Sequence, residues 1–203
     1  MAVLVYPPAD LEQRVILPGV TWQQYESLLT TLGDYPRLRL IYLKGTLEIL
    51  MPSAEHELLK KVIARLLERY AEEMEIPLHG YGSTTFREAA KARGLEPDEC
   101  YCVDTLKDLP DFAIEINLSS GGVDKLAVYQ GLGVPEVLIW QNNQLKLYDL
   151  RGKLYQETTI SQFFPQLDFN LFAQFVRPQE QPQAIKAFLQ VLRSPNPTPD
   201  SGT

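Results

Sequence analysis

Asp98, Asp111, Glu115, Asn117 and Lys125 fall within the single stretch from Glu96 to Lys125. Its apolar residues read as two strands and the start of a helix. Carboxylates, a carboxamide and a lysine are the parts of a site that assists phosphodiester hydrolysis with a divalent cation. Spacing decides which acids can meet. Asp111 and Glu115 lie four residues apart on one strand, about 13 Å between Cα atoms at ~3.3 Å per residue. That is too far for one hard cation with oxygen ligands at about 2.0–2.6 Å. Asp98 lies on the preceding strand. A hairpin centred near Lys107 pairs residues whose numbers sum to about 213 or 214, which sets Asp98 opposite Glu115 or Ile116. Directly opposed side chains have Cβ atoms about 5 Å apart. Carboxylates that close repel unless one takes a proton or a cation lies between them, and a cation is the preferred resolution. Asn117 shares the parity of Glu115. Lys125 begins the following helix, with Tyr129 four residues on and on the same face. Cys100 and Cys102 share the parity of Asp98 and read as small packing residues.

The remaining elements must position that stretch. Residues 1–20 carry Pro7, Pro8 and Pro18 and read as an arm. Thr21 and Gln24 form a capping-box pattern that opens a helix, and Gly33 ends it. Arg37 to Met51 reads as a hairpin turning at Lys44-Gly45, with Glu48 as a solvated face residue. Pro52-Ser53 introduces the clearest helix, Ala54 to about Met74, whose stripe of Leu59, Val62, Ile63, Leu66, Leu67 and Tyr70 faces a core. On the helical wheel His56 and Glu55 fall on or near that stripe and Glu57 opposite it. His56 is therefore placed to look into the sheet. A short strand follows at Ile76–Tyr81, then a basic loop at Lys91, Arg93 and Gly94. After the central stretch come a helix at Val123–Leu132 ended by Gly133, a buried strand at Glu136–Trp140 and a last hairpin strand through Leu150. Packing segments cover Ile160–Phe175, and a C-terminal helix spans Gln183–Arg193. The Ser119-Ser120-Gly121-Gly122 loop lies where a phosphate could bind, although capping and flexibility explain it more simply.

Length and composition set outer limits. The chain has 203 residues, 45% of them hydrophobic, and a net charge of -7. That supports one globular domain with a sizeable core over residues 1–193, followed by a disordered, proline-rich tail at 194–203. The acidic balance excludes DNA binding by bulk charge, so any nucleic-acid contact needs a local patch or a bound metal. Two cysteines too poorly placed to bridge suit a reducing cytoplasm. Neither a signal peptide nor a membrane span is expected.

The runs Glu96-Pro97-Asp98-Glu99, Pro110-Asp111-Phe112-Ala113-Ile114-Glu115-Ile116, Asp124-Lys125-Leu126-Ala127-Val128-Tyr129 and Gly133-Val134-Pro135-Glu136-Val137 resemble a bacterial "putative restriction endonuclease" family, formerly a domain of unknown function. Gly45-Thr46-Leu47-Glu48-Ile49 and Pro52-Ser53-Ala54-Glu55-His56-Glu57 fit it as well. The resemblance spans roughly residues 15 to 150. It implies the PD-(D/E)XK nuclease superfamily and an α/β fold. The expected architecture is a restriction-endonuclease-like core, a mixed central sheet flanked by helices in the order helix–three strands–helix–strand, with an N-terminal hairpin. It further implies that Asp98 and Glu115 bind Mg²⁺ or Mn²⁺, that DNA is the substrate and that a homodimer cuts both strands. The superfamily's lysine stands two residues after the glutamate, where this chain has Asn117, and the resemblance moves that role to Lys125. Glu55, His56 and Glu57 are the first-helix candidates to complete the site. The alternative is a nuclease-fold protein without catalysis that binds DNA or a protein partner.

Overall fold

A computed structural model describes residues 11–32, 35 and 38–194. The expected helix stop at Gly33, the hairpin start at Arg37, the first ten residues of the arm and all but the first residue of the tail lie outside them. Two sheets and five α-helices make up the described chain. The smaller sheet is antiparallel and contains β1 (Gln13–Pro18), β2 (Arg39–Leu43), β3 (Thr46–Met51), β5 (Phe86–Glu88) and β6 (Arg93–Leu95), in the order β1-β3-β2-β6-β5. The larger sheet is mixed and contains β4 (Leu78–Gly80), β7 (Glu99–Val103), β8 (Phe112–Asn117), β9 (Glu136–Gln141), β10 (Gln144–Arg151) and β11 (Leu154–Thr158), in the order β11-β10-β9-β8-β7-β4. No described helix is long and apolar enough to cross a membrane.

The chain enters the larger sheet after α2 (Ala54–Glu73), lays down β4, β7 and β8 antiparallel, crosses by α3 (Lys125–Leu132) and returns as β9 parallel to β8. This is the expected helix–three strands–helix–strand order. Three sequence expectations are corrected. Part of the supposed arm is strand β1, because its backbone pairs along the hairpin edge from Gln13 opposite Met51 to Pro18 opposite Thr46. The supposed basic loop is a 3-10 turn (Ala89–Lys91) and strand β6, which pairs with β2 and β5. Edge strand β11 was also missed. Leu154 and Gln156 are exposed, so it carries little of the apolar alternation that marks a half-buried strand.

The register of β7 and β8 fixes everything that follows. Glu99 pairs with Ile114, Cys100 with Ala113 and Tyr101 with Phe112. Phe112, Ile114 and Ile116 therefore face α2 and join its stripe, Leu59 through Tyr70, in one core. Ala113 and Cys100 face the other way, toward Val128 and Tyr129 of α3 and toward Leu95 and Phe86 of the smaller sheet. Ser53 caps α2 by accepting the His56 N–H at 3.2 Å, and Asp124 caps α3 by accepting that of Ala127 at 3.1 Å. The reciprocal Thr21/Gln24 capping box opens α1 (Trp22–Leu32) as expected. Helices α4 (Phe169–Ala173) and α5 (Gln181–Arg193) close the α2 side.

Gly94 of β6 lies against buried Tyr25, which packs with buried Tyr42 and half-buried Trp22, and a Cβ there would stand 2.5 Å from the Tyr25 hydroxyl. Tyr25 is fully buried and stacked on Tyr42 at 4.9 Å, so it has little room to yield. Gly94→Ala is expected to cost about 1–3 kcal/mol of overpacking, read as a lower urea midpoint at unchanged m-value. A midpoint equal to wild type would show that the ring is not held there.

Candidate active site

Glu115 is the one acid in a strand otherwise built of Phe112, Ala113, Ile114, Ile116 and, at its end, Asn117. It is 1% exposed on the α3 side of β8. An unpaired carboxylate there would be very costly. Both its oxygens are met from α3: Lys125 Nζ donates to Oε2 at 2.5 Å and the Tyr129 hydroxyl donates to Oε1. Lys125 and Tyr129 are one helical turn apart, which is why one helix face serves both oxygens.

Asp98 lies just before β7, beyond the last laddered pair, Glu99 and Ile114. Pro97 has no N–H and breaks the strand there. The Asp98 side chain takes over where the ladder stops: Oδ2 accepts the Ile116 N–H at 2.8 Å. Its Oδ1 receives His56 Nε2 of α2 at 2.8 Å, so Asp98 is bonded to β8 and α2 together. Asp98 is 2% and His56 0% exposed. The second Pro-Asp serves the opposite end of the hairpin, where Asp111 accepts the Val103 N–H at 2.8 Å and pairs with Lys107 at 2.6 Å.

The remaining expected residues separate. Asn117 ends β8 and lines a cleft of about 270 Å³ with Lys125, Arg14, Glu48, Gln141 and Tyr148. Glu55, the second residue of α2, is exposed. Glu57 pairs with Lys60 on the helix surface at 2.5 Å. Of the three first-helix candidates, only His56 reaches Asp98. The Ser119–Gly122 loop forms one wall of the cleft. Cys100 and Cys102 are free and buried, in contact with the carbonyls of Gly82 and of Lys107 and Leu109. Among the described residues no group of three or more His, Cys, Asp or Glu side chains is placed to hold a metal ion together. A larger hollow of about 610 Å³ runs along the first turns of α2 beside Lys60 and Lys61, and holds none of the buried acids.

Three charged residues were missed or misread in the sequence. Glu48 is fully buried instead of solvated: Arg14 Nε approaches Oε1 at 2.8 Å and the Val123 N–H donates to Oε2 at 2.5 Å. A carboxylate within the apolar run Leu47 to Leu50 was the available signal. Glu12 and Arg14 carried none. Glu12 accepts from Ser119 Oγ at 2.5 Å and bonds His56 Nδ1 at 3.0 Å, while Arg14 Nη1 donates to the Ser120 carbonyl at 3.2 Å. Gly122 makes this approach possible, since a Cβ there would stand 2.7 Å from Glu48 Oε2 and 2.8 Å from Arg14 Nη1.

Charge is divided unequally among these groups. Burial opposes ionisation of Asp98, yet the His56 hydrogen bond, the Lys125 charge and the Ile116 N–H together hold its carboxyl well below the usual range. Burial and the Asp98 charge push Glu115 up to about 7 against the pull of Lys125. Burial also opposes the Lys125 ammonium, but Glu115, Asp98 and Glu48 overcome it and raise its pKa. His56 is disfavoured as a cation by burial and favoured by its bonds to Asp98 and Glu12, which lift it to about 9. Two buried carboxyls are thus driven apart, Asp98 held low and Glu115 raised, a pattern that recurs where proton or cation chemistry is done.

A mixed sheet whose parallel strands β8 and β9 are joined across α3, preceded by a helix and an antiparallel meander, is a restriction-endonuclease-like α/β fold. The Uma2 family, described as "Putative restriction endonuclease", matches residues 22–180. The chain belongs to that family. No curated protein matches it.

Proposed function

We propose that this chain is an endodeoxyribonuclease that hydrolyses DNA phosphodiester bonds with Mg²⁺ or Mn²⁺ held by Asp98 and Glu115. The observation that carries the reading is the convergence of two buried carboxyls, Asp98 on the Ile116 N–H and Glu115 one residue before it, with the buried Lys125, which bonds Glu115 and lines a cleft. The donor set suits a hard cation: both acids offer oxygen only, and Mg²⁺ is commonly bound by one or two carboxylates together with water and substrate phosphate. Each of the four carboxylate oxygens accepts one hydrogen bond from the chain and keeps a further lone pair. A bound divalent cation polarises a phosphoryl oxygen and makes water acidic.

The chain's own residues do the rest. The Ile116 N–H and His56 hold Asp98 ionised. Tyr129 fixes the Glu115 carboxyl from the side opposite Lys125. Lys125 lines the cleft, and its ammonium, held on Glu115, is the group to stabilise negative charge gathering on a phosphoryl group there. Asn117 offers a neutral hydrogen-bonding group where the superfamily pattern has a lysine.

Purified protein incubated with supercoiled plasmid is expected to nick or linearise it in Mg²⁺ or Mn²⁺ and not in EDTA, and Asp98→Asn is expected to abolish this. The neutral Asn117, together with the internal partner on every oxygen of the acid pair, favours a second reading, a fold relative that binds DNA or a protein without cutting. Intact plasmid with wild-type protein at every metal concentration tried would select that second reading.

A further inference from the structure

We propose that Glu12 is a positioning residue that fixes the Asp98 carboxylate by acting through His56. This builds on the reading of Asp98 as a site carboxylate. It also draws into the site a residue that precedes the family-matched segment, which begins at Trp22. The contacts form one line. Glu12 Oε2 meets His56 Nδ1 at 3.0 Å, His56 Nε2 meets Asp98 Oδ1 at 2.8 Å, and Asp98 Oδ2 accepts the Ile116 N–H at 2.8 Å.

Each link constrains the next. An imidazole bonded at one nitrogen can still swing about that bond, and a partner at the second nitrogen locks the ring plane. Both partners here are carboxylates, acceptors when ionised, so the ring donates from both nitrogens. Asp98 in turn receives its proton donor from a fixed direction, with the β8 backbone on its other oxygen. Such outer partners orient ligating groups and are worth about 10–100-fold in metal affinity or activity.

Glu12 is itself anchored for this task. It immediately precedes Gln13, which opens the six-residue pairing of β1 with β3. Its side chain is 5% exposed, and its other oxygen takes the Ser119 hydroxyl at 2.5 Å and Arg14 Nη2 at 3.4 Å. A carboxylate so enclosed needs such partners to be tolerated. One of them is the histidine that holds Asp98.

The test reads Asp98 through its backbone partner and needs neither metal nor DNA. Amide hydrogen exchange of Ile116 is measured in wild type, Glu12→Ala, Glu12→Gln and Ser119→Ala, with Ile114 in the same strand as the internal reference. Glu12→Ala is expected to speed Ile116 exchange about tenfold or more while Ile114 holds its rate. Glu12→Gln, which keeps an acceptor for His56 Nδ1, is expected to stay within about threefold of wild type, and so is Ser119→Ala. An unchanged Ile116 in Glu12→Ala overturns the proposal. So does acceleration of Ile116 and Ile114 together, or an equal effect from Ser119→Ala, since either assigns Glu12 a purely structural part. Mn²⁺ calorimetry on the same samples separates this inference from the functional reading. A wild type that binds no Mn²⁺, with Ile116 still responding, removes the metal and leaves the positioning. A wild type that binds Mn²⁺ without an Ile116 response does the reverse.

Discussion

Lys125→Met is expected to cost about 3–5 kcal/mol of folding stability at pH 7, and most of that loss is expected to return in Lys125→Met/Glu115→Gln. The reason lies in what the lysine faces. It is 8% exposed, in direct contact with Glu115, and its charge is favoured further by Asp98 and Glu48. Methionine replaces the apolar stem well and removes the cation, so the loss is electrostatic and not a cavity. With the ammonium gone, Glu115 is left in an apolar layer beside Asp98, which stays ionised because His56 and the Ile116 N–H hold it so. Glutamine at position 115 is neutral, can still accept the Tyr129 hydroxyl and no longer calls for a counter-charge. Removing both members of a buried pair is often nearly neutral where removing one is severe.

The same pair of variants predicts how that penalty moves with pH. The Glu115 carboxyl lies above its ordinary value of 4.5 in the folded protein, at about 7, and losing Lys125 drives it higher. A raised carboxyl binds its proton more tightly folded than unfolded. Its contribution is therefore fully present below about 4.5 and is lost as pH rises through the folded value. The folded proteins differ in protonation only above the wild-type value, where wild-type Glu115 ionises beside Lys125 and the variant's holds its proton, so Lys125→Met is expected to sit closer to wild type at pH 5 than at pH 8. Urea unfolding at both pH values measures this. A penalty that is equal at the two, or below about 1 kcal/mol at pH 8, would mean that the pair is solvated as surface pairs are. Cleavage is expected to stay lost in the double variant, which separates the stability of the site from its chemistry.

Much of this arrangement could be read from local rules, and what could not has a physical cause. The β7–β8 register followed from the length of one polar turn, and it carried Asp98 to the position of Glu115 while excluding Asp111. Strand parity then gave the α3 face, and helical spacing gave the joint reach of Lys125 and Tyr129. The 3.6-residue stripe of α2 placed His56 inward. The same wheel failed for Glu55, which is exposed at the second residue of α2, a turn before the buried stripe begins at Leu59. Glu48, Arg14 and Glu12 were beyond sequence reading for a different reason. Glu12 and Arg14 meet Ser119 and Ser120, more than a hundred residues away in the chain, and Glu48 meets Arg14 across the pairing of β1 with β3 and the Val123 N–H beyond. No periodicity encodes such long-range pairs of polar groups, and Glu48 offered only its unusual place among apolar neighbours.

His56 carries the second large effect: wild-type stability is expected to fall by about 3 kcal/mol between pH 6.5 and 9, and His56→Asn is expected to remove that slope. The folded pKa of His56 is raised from 6.5 to about 9. Below 6.5 the ring is protonated in folded and unfolded chains alike, and its bonds to Asp98 and Glu12 contribute in full. As pH rises toward 9 the unfolded chain has already given up its proton while the folded chain must still hold one, so the contribution is lost over that window. Glu115 acts in the same direction, but only between about 4.5 and 7. The interval from pH 7 to 9 therefore belongs mainly to His56. Asp98, held low, has its own loss far to the acid side, as pH falls through its folded value. Chemical denaturation of both proteins at pH 6, 7, 8 and 9 makes the comparison. His56→Asn is expected to be the less stable at pH 6, because two buried carboxylates lose their shared cation, and nearly level with wild type at pH 9. Parallel pH profiles for the two proteins would show that the imidazole is neutral in the folded state, and that Asp98 draws its ionisation from Lys125 and the Ile116 N–H instead.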